Sequence, residues 1–194
     1  MRESQIYREQ IDTLSEQIKA EFVGLDTDLL YKRPGPSVNN AGFLYWHILR
    51  IWDLDLNHIA KGEEPVSDAW NRGGYAARSD YDPTYKGLDR LPGMGLGYSD
   101  AEVDEVNVPI EELTDYHDQL SAETNEYLES ASDELLRAEI PMPSRPGAAA
   151  SAAQRFQHLI GHSHGHVGDI RFIKGLLGHT DATYPGPAAS LTMR

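Results

Sequence analysis

Residues 148–177 read AAASAAQRFQHLIGHSHGHVGDIRFIKGLL, and Gly178 follows them. No proline interrupts the run, and a glycine just past the end is a helix stop. Phe156, Leu159, Ser163, His166, Ile170, Ile173 and Leu177 recur at spacings of three and four, which is the repeat of one helical face. Histidine intrudes on that face. Four of the chain's eight histidines, His158, His162, His164 and His166, fall in this helix. At roughly 100° per residue, His166 lies on the centre line of the stripe and His162 roughly 40° away, one turn earlier. His158 is roughly 80° off and two turns back, and His164 roughly 160° off. Imidazoles on a core face need a reason to be there, since burying an unpaired polar group is costly. Two histidines four apart on one helix face can converge on a metal ion. Neutral imidazole suits zinc, nickel, copper and iron. Two donors seldom hold an ion tightly, so a third is expected from another helix. His158 and His164 read as surface or supporting groups.

Working outward, residues 41–61, AGFLYWHILRIWDLDLNHIAK, form a second long helix. Asn39 or Asn40 can cap it and Gly62 stops it. It is apolar on more than one side, so it is expected to be buried in a bundle or against a second copy of the chain. His47 shares a face with Phe43, Ile51, Leu54 and His58 and is the best third donor. His58 lies eleven residues on, about 16 Å along the axis, too far to share a site. A lone buried histidine is more often a hydrogen-bonded core residue than a ligand, so His47 gains weight only beside His162 and His166. His117 on the third helix is the reserve candidate.

Residues 3–22 place Ile6, Ile11, Leu14, Ile18 and Phe22 on an amphipathic helix. Ser99 and Glu102 make a capping box for a short helix through Val106. Pro109 then suits the first position of a third long helix, with Leu113, Tyr116, Leu120, Thr124, Tyr127, Leu128 and Ala131 on its inner stripe. Between the second and third helices, residues 62–98 have no period, many Gly and Pro, and the rings of Trp70, Tyr75, Tyr81, Tyr85 and Tyr98. That length and aromatic content predict an ordered excursion over one end of the domain, with room for a short helix. EIPMPSRPG, residues 139–147, is a second Pro-rich connector. No segment has a convincing strand pattern. The fold class is all-α: a four-helix bundle in one domain, residues 1–180, with a loose tail over 181–194.

Composition narrows the chemistry. The chain has 194 residues and no cysteine, which excludes disulfides, thiolate ligands and a cysteine nucleophile. Net charge is −14, from 31 acidic and 17 basic residues, so neither nucleic acid nor an anionic membrane is an expected partner. No stretch reaches the ~20 apolar residues of a membrane helix. The polar start MRESQIYREQ predicts no signal peptide, and a cytoplasmic setting is expected.

Trp46-His47-Ile48 resembles the W-H-I/L element of the DinB/YfiT-like superfamily. His162-x-x-x-His166-Val167-Gly168-Asp169-Ile170, followed by Arg171-x-x-x-Gly175-Leu176-Leu177, resembles that family's H-x-x-x-H-x-G-Q-I…R-G-L-L pattern. The resemblance implies an up-down-down-up bundle, often dimeric, with a metal held by His47, His162 and His166. It departs from the pattern at Val167, where many members have Arg, and at Asp169, where many have Gln. The implied activity is that of a divalent-metal-dependent enzyme, with zinc, nickel and iron equally acceptable. Thiol S-transfer or a related detoxification ranks first, using a low-molecular-weight thiol cosubstrate and a small-molecule substrate. A metal-dependent hydrolase and a non-catalytic metal-binding stress protein are the alternatives. Hydrolysis usually wants a carboxylate base near the metal, and Asp53 lies about 120° from His47 around the second helix. A homodimer is expected from the apolar faces that carry Trp46, Ile48, Trp52 and Ile59.

Overall fold

The computed structural model describes residues 2–25, 27–64, 67–84, 86, 93–142 and 147–179. The elements in chain order are α1 (Glu3–Ala20), α2 (Thr27–Leu30), α3 (Ala41–Asp53), a π-helical continuation of α3 (Leu54–Ala60), α4 (Ala69–Arg72), α5 (Tyr75–Ser79), α6 (Asp100–Glu105), α7 (Ile110–Ser130), α8 (Asp133–Arg137), strands β1 (Glu139–Pro141) and β2 (Ala149–Ser151), and α9 (Ala152–Leu176). Four long helices form the bundle, as the periodicity predicts.

Cross-helix side-chain pairs give the helix directions. Ser15 of α1 meets His117 of α7 at 2.9 Å, and the earlier Asp12 meets the later Asn125 at 3.0 Å, so α1 and α7 run antiparallel. Tyr45 of α3 meets His117 at 2.9 Å, and Trp52 donates to Thr124 at 2.8 Å, so α3 and α7 run parallel. Tyr7 and Glu21 near the two ends of α1 meet Gln157 and Arg171 at 3.1 and 2.7 Å, so α1 and α9 run parallel. His47 meets His162 at 3.2 Å while Asp55 meets Arg155 at 2.8 Å, so α3 and α9 are antiparallel. The order is up-down-down-up.

Local chemistry explains most boundaries. The Asn40 side chain accepts the Phe43 N–H at 2.7 Å and starts α3. The Ser99–Glu102 capping box starts α6 as expected. Pro109 serves as the N-cap of α7, one position before the first helical residue. The fourth helix begins at Ala152 because residues 149–151 pair antiparallel with 139–141. This small hairpin corrects the expectation of no strands; three residues on each side are too few to display a period of two. Past Asp53 the second helix widens, and the Lys61 N–H bonds the Leu56 carbonyl at 2.9 Å, five residues back.

Every residue of α3 is buried. Trp46 is covered by Tyr81 and Tyr98 from the excursion, and Trp52 by His117. One chain therefore covers the apolar faces from which a dimer was expected. The excursion is ordered where it is described and contains α4 and α5; Tyr85, Gly87 and Pro92 lie outside the described residues, as does the tail, 181–194.

A buried ionic knot pins the excursion to α3. Asp53 accepts the backbone N–H groups of Ala69 and Trp70, each at 3.0 Å, and the Tyr116 hydroxyl at 2.5 Å. Arg50, 2% exposed, donates to Asp68 at 3.0 Å and Asp53 at 3.3 Å. Such a knot is worth little against an apolar substitute, but breaking one partner leaves a buried charge stranded. Among the described residues no helix is long and apolar enough to cross a membrane.

Candidate metal centre

The antiparallel packing of α3 on α9 brings His47 face to face with His162 and His166. The Nε2 atom of His162 lies 3.2 Å from the Nε2 atoms of both His47 and His166. One donor atom from each ring can be chosen so that all three lie within 4.8 Å of one another. Two ligands about 2.05 Å from a tetrahedral ion stand roughly 3.3 Å apart, close to the two shorter separations. His47 is buried, and the two α9 histidines are half-buried. The group can hold a metal ion.

Hydrogen bonding on the far side of each ring decides what its Nε2 presents. The His47 Nδ1–H donates to the Met94 carbonyl. The His166 Nδ1–H donates to the Asp169 carboxylate at 2.9 Å. In the neutral ring, each of these Nε2 atoms is then a bare lone pair. Burial drives the His47 imidazole down to about 4 and the His162 imidazole to about 3, and neighbouring histidines push both the same way. Both are neutral at pH 7. With the Nδ1–H groups of His47 and His166 turned away from the centre, the neutral forms of the rings have at most one N–H to share among three converging nitrogens. The lone pairs left over want a cation, and the donor set fits one. The His162 Nδ1 is buried with no hydrogen-bond partner among the described residues, so nothing there fixes that ring's tautomer.

The walls differ in character. Phe43 lies parallel to His47, ring centroids 6.0 Å apart. Met94, whose carbonyl holds His47, packs its side chain with Ile51, Leu54 and Ile59. On the opposite side His158 stacks on His162 at 5.5 Å. Its Nδ1 lies 3.0 Å from Asp55, a fully buried carboxylate that also takes the Arg155 Nε–H at 2.8 Å.

A family model described as the DinB superfamily matches residues 10–170. The chain belongs to the DinB superfamily. The crystal structure of a conserved protein from Enterococcus faecalis is similar in fold, with a TM-score of 0.71 over 93% of this chain and 99% of that one, at 20% identity. No functionally curated protein matches significantly.

The DinB resemblance pointed to His47, His162 and His166, and the structure brings these three together. His117, His58 and His164 lie away from the centre. His117 is a core residue between Ser15 and Tyr45, each at 2.9 Å. His58 bonds the Glu63 carbonyl at 3.0 Å. His164 faces the outer groove between α1 and α9, with Glu9, Gln10 and Thr13. One correction concerns His166. The buried line of α9 passes through Val167, and His166 sits at its rim, where an ion held by its ring stays within reach of solvent.

The sequence reading missed the groups behind the rings. Met94 contributes a backbone carbonyl, for which no side-chain signal exists. Asp169 was legible as a carboxylate three residues after a histidine, a spacing that places both on one side of a helix. Asp55 sits in the π-helical turn, where α-helical angles no longer apply.

Proposed function

We propose that this DinB-superfamily chain is a divalent-metal-dependent enzyme that uses a low-molecular-weight thiol, in S-transfer or a related detoxification reaction. What supports this is the convergence of three Nε2 lone pairs on one point beside solvent. Three imidazoles leave coordination positions open, the arrangement of a catalytic rather than a structural ion. A divalent ion held there would supply Lewis acidity that favours the thiolate over the thiol. The chain's own residues do the rest. His47, fixed by the Met94 carbonyl, and His166, fixed by Asp169, hold their lone pairs inward. Phe43 and the Met94 cluster keep water from the α3 side of the rings. The half-exposed edges of His162 and His166 leave the approach for a small-molecule substrate on the α9 side. Hydrolysis ranks lower because Asp53, the carboxylate weighed as its base, is buried in the ionic knot with Arg50 and Tyr116.

Elemental analysis of tag-free protein tests the centre directly. One equivalent of zinc, nickel or iron is expected in the wild type and none in His47→Ala or His162→Ala. Stoichiometric metal that survives both changes ends the assignment. Cobalt-substituted protein should then develop a sulfur-to-metal charge-transfer band with a small thiol; ester turnover without any such band would favour the hydrolase. A homodimer in the cytoplasm is the assembly and setting we propose on the family likeness alone, and light scattering decides the first.

A further inference from the structure

We infer that Asp169 is a positioning residue for the metal centre: its carboxylate locks His166 in the Nδ1–H tautomer and holds its Nε2 toward the other two donors. This rests on the metal-centre reading above. Among the described residues, Asp169 is the one carboxylate bonded to any ring of the triad, Oδ2 to Nδ1 at 2.9 Å. The three donors have different backing. His47 is held by a neutral backbone carbonyl, His162 by nothing at its Nδ1 among the described residues, and His166 by a carboxylate.

A ligand imidazole that donates its far N–H to a carboxylate has a fixed orientation and a more electron-rich coordinating nitrogen. The effect follows from charge-assisted hydrogen bonding: partial transfer of the Nδ1 proton toward the carboxylate pushes density onto Nε2. Removing such a partner weakens metal binding by roughly 10- to 100-fold in known sites. Asp169 is 61% exposed, so solvent screening places it at the lower end. Position 169 is also where the family pattern carries Gln. A glutamine oxygen can accept the same N–H but brings no charge. Opposite one ring backed by a neutral carbonyl and one without an Nδ1 partner among the described residues, the Asp169 brace makes His166 the anchoring donor, although it is the ring nearest the rim.

The test uses the full-length protein as wild type, Asp169→Ala, Asp169→Asn and Asp169→Gln. Nitrogen-15 histidine spectra of the metal-free protein read the His166 tautomer. Competition for zinc against a chromophoric chelator reads affinity. Wild type is expected to show His166 as Nδ1–H. Asp169→Ala should lose that fixed tautomer and bind zinc about tenfold more weakly. Asp169→Asn and Asp169→Gln should fall between, separating hydrogen bond from charge. The thermal midpoint of the metal-free forms should not move, because Asp169 packs against no core. An unchanged tautomer in Asp169→Ala, or zinc affinity within twofold of wild type, overturns the inference while leaving the metal centre intact. Equal loss of stability and affinity would mark Asp169 as merely structural and overturn it as well. Wild type without stoichiometric zinc binding would instead remove the underlying reading, and the inference with it.

Discussion

Gly95 has φ +91°, and a Cβ on it would stand 2.8 Å from Phe43 and 3.1 Å from Trp46. Left-handed backbone and close approach coincide here, and only glycine meets both. The residue before it carries the carbonyl that orients His47. Gly95→Ala should therefore cost about 1–3 kcal/mol from the strained backbone and the overpacked contact. It should also weaken zinc binding, because the Met94 carbonyl moves with the loop. Urea unfolding and a zinc titration check the two effects separately. Lost stability with unchanged affinity would show that the loop and the His47 ring are not mechanically joined.

The π-helical turn is the element that aims Asp55 at α9. Its wider winding places a fully buried carboxylate against Arg155, itself 13% exposed, and against His158. Asp55→Ala is expected to destabilise the protein by about 3 kcal/mol, since it leaves an arginine largely buried without its partner. Hydrogen exchange should show the loss first in the opening turns of α9. Uniform exchange throughout the bundle would assign the loss to global unfolding. Elements of this kind mark how far the sequence could be read. Ile11, Leu14 and Ile18 in α1, and Leu113, Tyr116 and Leu120 in α7, show their helical period plainly because solvent faces one side of each helix. α3 hides its period, being buried all round, yet its caps and length still identify it. The π-turn has no signature, because the extra residue per turn is imposed by neighbours, and the two-strand hairpin is shorter than any repeat. At the centre itself, the rings were legible from spacing and from the resemblance, whereas the Met94 carbonyl depends on where a long excursion lands.

At the scale of the whole molecule, buried histidines tie stability to acidity. Burial lowers His117 to about 3 and His47 to about 4 from the ordinary 6.5. The unfolded chain therefore binds protons first as pH falls. The stabilisation is complete above about 6.5 and drains away as pH drops toward the folded values. Each of the two should cost about 1.4 kcal/mol by pH 5.5, one unit below the unfolded value. Urea midpoints of metal-free protein at pH 7 and 5.5 measure this, and His117→Gln should flatten the dependence by one histidine. A pH-independent midpoint would mean that these rings are charged in the folded state.

His47 and His162 are 115 residues apart along the chain, yet their rings touch. An ion held between them would clasp the second helix to the last. Closing so long a span carries an entropic cost, and such a clasp is expected to close late on the folding route. Interactions absent from the transition state act on unfolding alone. Zinc should then leave the refolding rate nearly unchanged and slow unfolding in proportion to its affinity. Stopped-flow fluorescence from the chain's three tryptophans can follow both limbs. In a cell whose supply of the ion varies, the lifetime of the folded protein would rise and fall with that supply, while the speed at which new chains mature would not.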